Sequence, residues 1–118
     1  MGRENFDDYI YDILNDYDIF KGWYRGIDTT HVTFLLQQAT PVNFSDSENE
    51  AIELCYRFDI WSKNEKEQSE YYNEILEILE SENFIWLKTL NDVEIDTSLY
   101  HTCIFVNKEI DKYDYYYI

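Results

Sequence analysis

From Ile52 to Trp61 the chain alternates without a break: Ile52, Leu54, Tyr56, Phe58 and Ile60 fall on one face of an extended segment, with Glu53, Cys55, Arg57, Asp59 and Trp61 on the other. That is the pattern of a strand covered on one side. Past Ser62 the period lengthens. Tyr71, Tyr72, Ile75, Leu76, Ile78 and Leu79 recur at three- and four-residue intervals, which gathers them on one stripe of a helix. Between the two, Ser62-Lys63-Asn64-Glu65 fits a capping box, the serine hydroxyl accepting from a free backbone N–H while Glu65 reaches back. Ala51 to Phe84 therefore predicts a long strand, a short break and an amphipathic helix whose Tyr72, Ile75, Leu76 and Leu79 lie on the alternating apolar face.

Upstream, Asn5 can cap a first helix that carries Asp7 and Asp8 in its opening turn, where the helix dipole favours acids. Phe6, Tyr9, Ile10, Ile13, Leu14, Tyr17 and Phe20 follow at helical spacing, and Gly22 offers a left-handed stop. Trp23-Tyr24-Arg25-Gly26 forms a loop, with Trp23 read as a lid on the core edge before it is read as a contact point. His31 to Ala39 reads as a strand that Pro41 ends or confines to a sheet edge, because proline cannot donate to a ladder. The polar, acidic run Val42 to Glu50 links it to the long strand as an extended hairpin.

Downstream, Ser81-Glu82-Asn83 supplies the helix stop, with Asn83 suited to the left-handed position. Phe84 to Leu90 reads as a third strand, Asn91-Asp92 as a turn or bulge, Val93 to Asp96 as a further alternating stretch and Tyr100 to Val106 as a fourth strand. The order α-β-β-α-β-β, without regular βαβ repetition, predicts an α+β fold: a mostly antiparallel four-stranded sheet with the helices packed on one face. Residues 1–118 correspond to a single domain, with 110–118 as a flexible or partner-bound tail rich in tyrosine.

Composition adds a strong sign. The chain is 45% hydrophobic and 19% aromatic, enough to fold, yet its 25 acidic residues against 9 basic ones give a net charge of -16. Such a surface repels nucleic-acid phosphates and anionic membranes. The acids are spread over the outer face of the first helix, the hairpin loop, the second helix and the Val93 to Asp96 stretch. No run of about 18 apolar residues would span a membrane, and the N-terminus carries no export pattern, so a soluble protein of a reducing compartment is expected, with Cys55 and Cys103 as buried thiols.

Candidate chemistry is sparse. His31 and His101 lie in strand-like runs and can approach Cys55 or Cys103, but such a pairing arises in sheets without catalytic meaning far more often than with it. The carboxylate pairs Asp7-Asp8, Asp46/Glu48 and Asp92/Glu94/Asp96 lack calcium-loop spacing, and Gly2, Gly22 and Gly26 form no phosphate loop. The reading is of no enzyme, with no catalytic, cofactor or metal residues.

The strand ending Phe58-Asp59-Ile60-Trp61-Ser62-Lys63, the helix ending Leu76-Glu77-Ile78-Leu79-Glu80 and the late strand Leu99 to Phe105 together resemble the tail-terminator or tail-completion proteins of long-tailed phages and phage-like particles. The resemblance covers roughly residues 28 to 106. It implies a structural virion protein, assembled in the host cytoplasm and resident in the tail or neck. Copies would form a ring, commonly of six, that caps the tail tube, stops its polymerisation and joins it to the head connector, while DNA passes through without specific binding. The long tyrosine-rich terminus and the extreme acidity depart from the usual pattern and leave a neighbouring neck role open. On this reading Arg57, Asp59, Trp61, Trp23, Tyr115, Tyr116 and Tyr117 form subunit interface, in keeping with the enrichment of aromatic residues and arginine at interfaces. The alternative from the charge alone is an acidic DNA-mimic inhibitor of the anti-restriction or anti-CRISPR type. A small thiol or metal enzyme built on Cys55, Cys103, His31 and His101 ranks last.

Overall fold

The computed structural model describes residues 6–24, 26, 29–42, 51–94 and 98–111. Its elements run α1 (Phe6–Ile13), β1 (Ile19–Lys21), β2 (His31–Val42), β3 (Ala51–Ser62), α2 (Glu65–Ser81), β4 (Ile85–Glu94) and β5 (Leu99–Asp111). The strands form one sheet in the order β1-β2-β3-β5-β4, antiparallel throughout except for the parallel pairing of β1 with β2. The α+β class is as the sequence predicts, with five strands in place of four.

The fifth strand comes out of the expected first helix. That helix ends at Ile13, and the apolar period that continues through Tyr17 and Phe20 belongs to a turn and then to β1, whose Ile19, Phe20 and Lys21 pair with Val32, Thr33 and Phe34. Asn15, Asp16 and Asp18 account for the break, since short polar side chains compete for the backbone and favour turns over helix interiors. Val32 N–H donates to Asp18 O (2.8 Å) on one side of β1 and Gly22 N–H to Phe34 O (2.8 Å) on the other. Gly22 leaves the strand at φ 114°, a conformation L side chains resist. Asn5, the expected cap, lies outside the described residues.

The start of α2 also differs in detail. Asn64, not Ser62, is its N-cap, and the Asn64 Oδ1 accepts from Glu67 N–H (2.9 Å). Ser62 acts one step earlier, accepting from Asn64 N–H (3.0 Å) and sharing a hydrogen bond with Thr30 Oγ1 (2.7 Å), so it ties the strand end to the loop before β2. At the far end Asn83 takes the left-handed conformation (φ 67°), and Phe84 N–H returns to Leu79 O (2.9 Å). β4 then runs straight through Asn91 and Asp92, which pair with Thr102 and His101. Its irregularity falls between Trp86 and Lys88 instead.

One face of the sheet carries the core. Register aligns Phe34 with Phe58 and Phe58 with Ile104, and Tyr56 with Val106, while Ile10 and Leu14 from the α1 region and Ile75 and Leu79 from α2 close over them. Phe6 stacks on Tyr56 with centroids 5.3 Å apart, and Phe84 packs edge-on against Phe58 (6.2 Å). Each such fully buried side chain contributes about 1.5–3 kcal/mol. The face of β3 predicted to be apolar is this one, and both helices lie on it. Because β1 covers only Val32 to Phe34, the rest of β2 is a sheet edge, which is where Pro41 sits.

Candidate functional site

The opposite face of the sheet holds most of the residues with chemical potential, and register sets them in rows across four strands. His31, Trp61, His101 and Asp92 make one row, Thr33, Asp59, Cys103 and Leu90 the next, and Leu35, Arg57, Phe105 and Lys88 the third. Loop residues Trp23 and Tyr24, between β1 and β2, cover the first row. Trp23 stands edge-on to Trp61 (5.1 Å) and to His101 (5.8 Å), and Tyr24 lies 5.0 Å from Trp61.

Over Ala51 to Arg57 β3 is covered on one side as its alternation predicts, but under this cover Phe58 to Ser62 are buried on both sides, which corrects the expectation at the strand's end. Trp61 is fully buried. Its indole N–H donates to Thr33 Oγ1 (3.0 Å), and the His101 ring stacks on it at 3.8 Å with planes 9° apart. Asp59 is 1% exposed and accepts three hydrogen bonds: from Arg57 Nε to both oxygens (3.0 and 2.9 Å) and from His101 Nε2 (2.6 Å). His31 donates from Nδ1 to Thr29 O (2.9 Å). Asp59 and Trp61 are thus covered by the chain's own side chains and are not available to a neighbour. Trp23, at 48% exposure, and Arg57 remain at the surface. Tyr115, Tyr116 and Tyr117 lie outside the described residues.

The thiols are held in the unreactive form. Burial, reinforced by the adjacent Asp59 carboxylate, pushes the Cys103 thiol up to about 12, and burial also raises Cys55. A nucleophilic cysteine needs the opposite shift, because the thiolate is the attacking species. His101, although beside Cys103 on β5, is engaged with Asp59. Among the described residues no three His, Cys, Asp or Glu side chains converge as a metal site would require, and no helix is long and apolar enough to cross a membrane.

Two features escaped the sequence reading. A cleft of about 540 Å³ opens between α2 and the β4–β5 pair, lined by polar groups that include Gln68, Tyr72, Thr89, Asn91 and Thr102. Those groups bond chiefly to one another: Gln68 Nε2 donates to Thr102 Oγ1, Thr102 Oγ1 to Asn91 Oδ1 (2.8 Å), and the Tyr72 and Thr89 hydroxyls share a hydrogen bond (2.9 Å). They brace the helix against the strands. The other feature is β4, an edge strand with Ile85, Trp86, Leu87, Leu90 and Val93 exposed by 65, 46, 50, 54 and 50%. Beside it on the open face the Lys88 ammonium sits 4.8 Å above the Phe105 ring, and the Arg57 guanidinium lies 5.6 Å from the same ring and 4.4 Å from that of Trp23. Periodicity shows that a strand has an apolar face but not that the strand is at an edge, so no local signal marked β4.

No protein-family model matches this chain, and no curated protein matches it significantly.

Proposed function

We propose that this chain is a structural assembly protein of a phage tail or phage-like particle, a tail terminator or tail-completion protein. Copies join into a ring, with six as the expected number, that caps the tail tube, halts its growth and seats the head connector. The observation that carries the reading is β4, a ten-residue edge strand whose outward backbone groups meet no other strand among the described residues and which carries five exposed apolar side chains. Such an edge is a template for association, and a protein that leaves one uncovered risks aggregation unless a partner occupies it. The opposite edge of the sheet, β2 beyond Phe34, is unlike it: Gln37, Gln38 and Thr40 are exposed there and Pro41 interrupts the donors. A molecule without matching edges suits contacts between unlike surfaces, which close into a ring when the rotation allows.

The charge of -16 fits the same role, since an acidic ring repels passing phosphates and leaves DNA free to move. It equally suits a DNA-mimicking inhibitor, but a mimic works by presenting carboxylates, and the exposed strand here presents hydrocarbon.

Mass photometry and negative-stain electron microscopy of the purified chain, alone and with tail-tube protein, test the reading. Rings are expected, alone or on tube ends, with shorter tubes when the chain is present during polymerisation. A chain that stays monomeric and leaves tube length unchanged overturns the proposal, and salt-sensitive inhibition of a nuclease by that monomer would replace it with the mimic.

A further inference from the structure

Cations are scarce in this molecule, and their partners show what each does. Lys21 is paired with Asp7 (2.7 Å), Lys66 with Glu70 (4.0 Å) and Arg57 with Asp59 (2.9 Å), while Lys108 donates to Glu82 O (2.6 Å). Lys88 differs. It is exposed and has no carboxylate within ion-pair distance among the described residues. Its contact is with the face of Phe105, flanked on the other side by Arg57. Exposed Leu90 and Ile85 lie on the same strand, and Leu35 (36% exposed) borders the row on the β2 side.

We infer that this cationic, aromatic patch of Lys88, Phe105 and Arg57 is the receiving half of a contact between two copies of the chain, and that it takes the carboxylates of Glu70 and Glu77 on the outer surface of α2 of the second copy. The inference rests on the assembly reading and deepens it. Two molecules of charge -16 repel each other, so a contact between them is most favourable where it sets cations of one against acids of the other. The patch is where the open face offers positive charge. Glu70 and Glu77 are exposed and seven residues apart, two turns along the side of α2 that points away from its buried Ile75 and Leu79.

The layers then fix the kind of assembly. α2 packs on one face of the sheet and the patch lies on the other, so the contact joins opposite sides of the molecule and is heterologous, as a ring demands. A two-fold dimer would bring like surfaces together instead. At the contact an ammonium held on an aromatic ring donates a charge-assisted hydrogen bond to a carboxylate. Leu90 and Ile85 shed their water alongside, which strengthens the pairing.

Native mass spectrometry and sedimentation of the full chain distinguish the outcomes. Association is expected to weaken about tenfold in Lys88→Glu, and by a similar factor in a Glu70→Lys, Glu77→Lys chain. It should recover when all three changes are combined in one chain, and fall as salt rises from about 50 to about 500 mM. Melting curves check that each variant folds, and Lys88→Met, which keeps the hydrocarbon stem, repeats the loss without reversing the charge. Rings that persist unchanged in Lys88→Glu overturn the contact and leave the assembly reading standing. Loss in both single-surface variants without recovery in the combined chain also overturns it, since α2 is then not the opposing surface. A wild-type chain that never associates, alone or on tubes, removes both.

Discussion

β3 and β4 are both long strands of mixed apolar and polar residues, yet the central one buries an aspartate and the edge one exposes an isoleucine. Asp59 is 1% exposed and Ile85 is 65% exposed, the reverse of what hydropathy would assign. The difference lies in what surrounds each strand. β3 has neighbours on both sides, helices on one face and the Trp23 loop over the end of the other, so whatever sits near its C-terminus is enclosed. Asp59 is tolerable there because Arg57 and His101 complete its hydrogen bonding, whereas an isolated buried carboxylate would not be. β4 has one neighbour, β5, among the described residues, and its apolar side chains stay about half exposed. A buried charge with its partners marks completed structure, while exposed hydrocarbon on an edge strand marks a surface that the described residues leave open.

The sharpest way to break this contrast is within β3. Trp61→Ala is expected to cost about 3–5 kcal/mol in chemical denaturation, because it empties the slot between His101, Trp23 and Thr33. A loss under about 1 kcal/mol would mean that the lid is not a packed layer. Asp59→Asn should cost somewhat less, about 3 kcal/mol, since Arg57 is partly exposed and recovers water when its buried partner is neutralised. Double-mutant cycles with His101→Ala would isolate the imidazole's share.

On β4 the expectation inverts. Ile85→Ser together with Leu90→Ser should leave the melting midpoint nearly unchanged, within about 0.5 kcal/mol, while removing self-association or tube capping. A large loss of stability there would show that the edge is covered within the monomer. A pH dependence near neutrality is absent from Cys103 and appears only in alkali. With its thiol raised from 9.0 to about 12, the folded state favours the protonated form, so its contribution is fully present below pH 9 and is lost as pH rises toward 12. Urea titrations should show stability falling over that interval in the wild type and less steeply in Cys103→Ala. Iodoacetamide at pH 8 should label Cys103 in urea far faster than in buffer.

How much of this was legible follows the range of each interaction. The alternation of Ile52 to Ile60 and the stripe of Ile75 and Leu79 are local, and they mark the core face and the helix that covers it. Asn83 and Pro41 are local too, since a left-handed turn and a missing donor are properties of single residues. β1 was hidden because three residues are too few to show a period, and Tyr17 and Phe20 continued the helical spacing past a turn made by Asn15, Asp16 and Asp18. The enclosure of Asp59 and Trp61 depends on Trp23 and His101, contacts that span tens of residues and leave no trace in the pattern around β3. The exposure of β4 is a matter of strand order, and nothing in Ile85-Trp86-Leu87 says that the strand lies outermost.

The strand order also bears on how the chain reaches its native state. β2 with β3, and β4 with β5, are neighbours along the chain and can zip as hairpins, whereas β3 with β5 must meet across α2 and all of β4. Closing so long a loop carries the largest entropic cost among the three antiparallel pairings. The His101–Asp59 bond, between residues 42 apart, bridges that seam directly. The carboxylate that braces the finished sheet thus also spans the junction of its two hairpins, the pairing with the longest intervening chain.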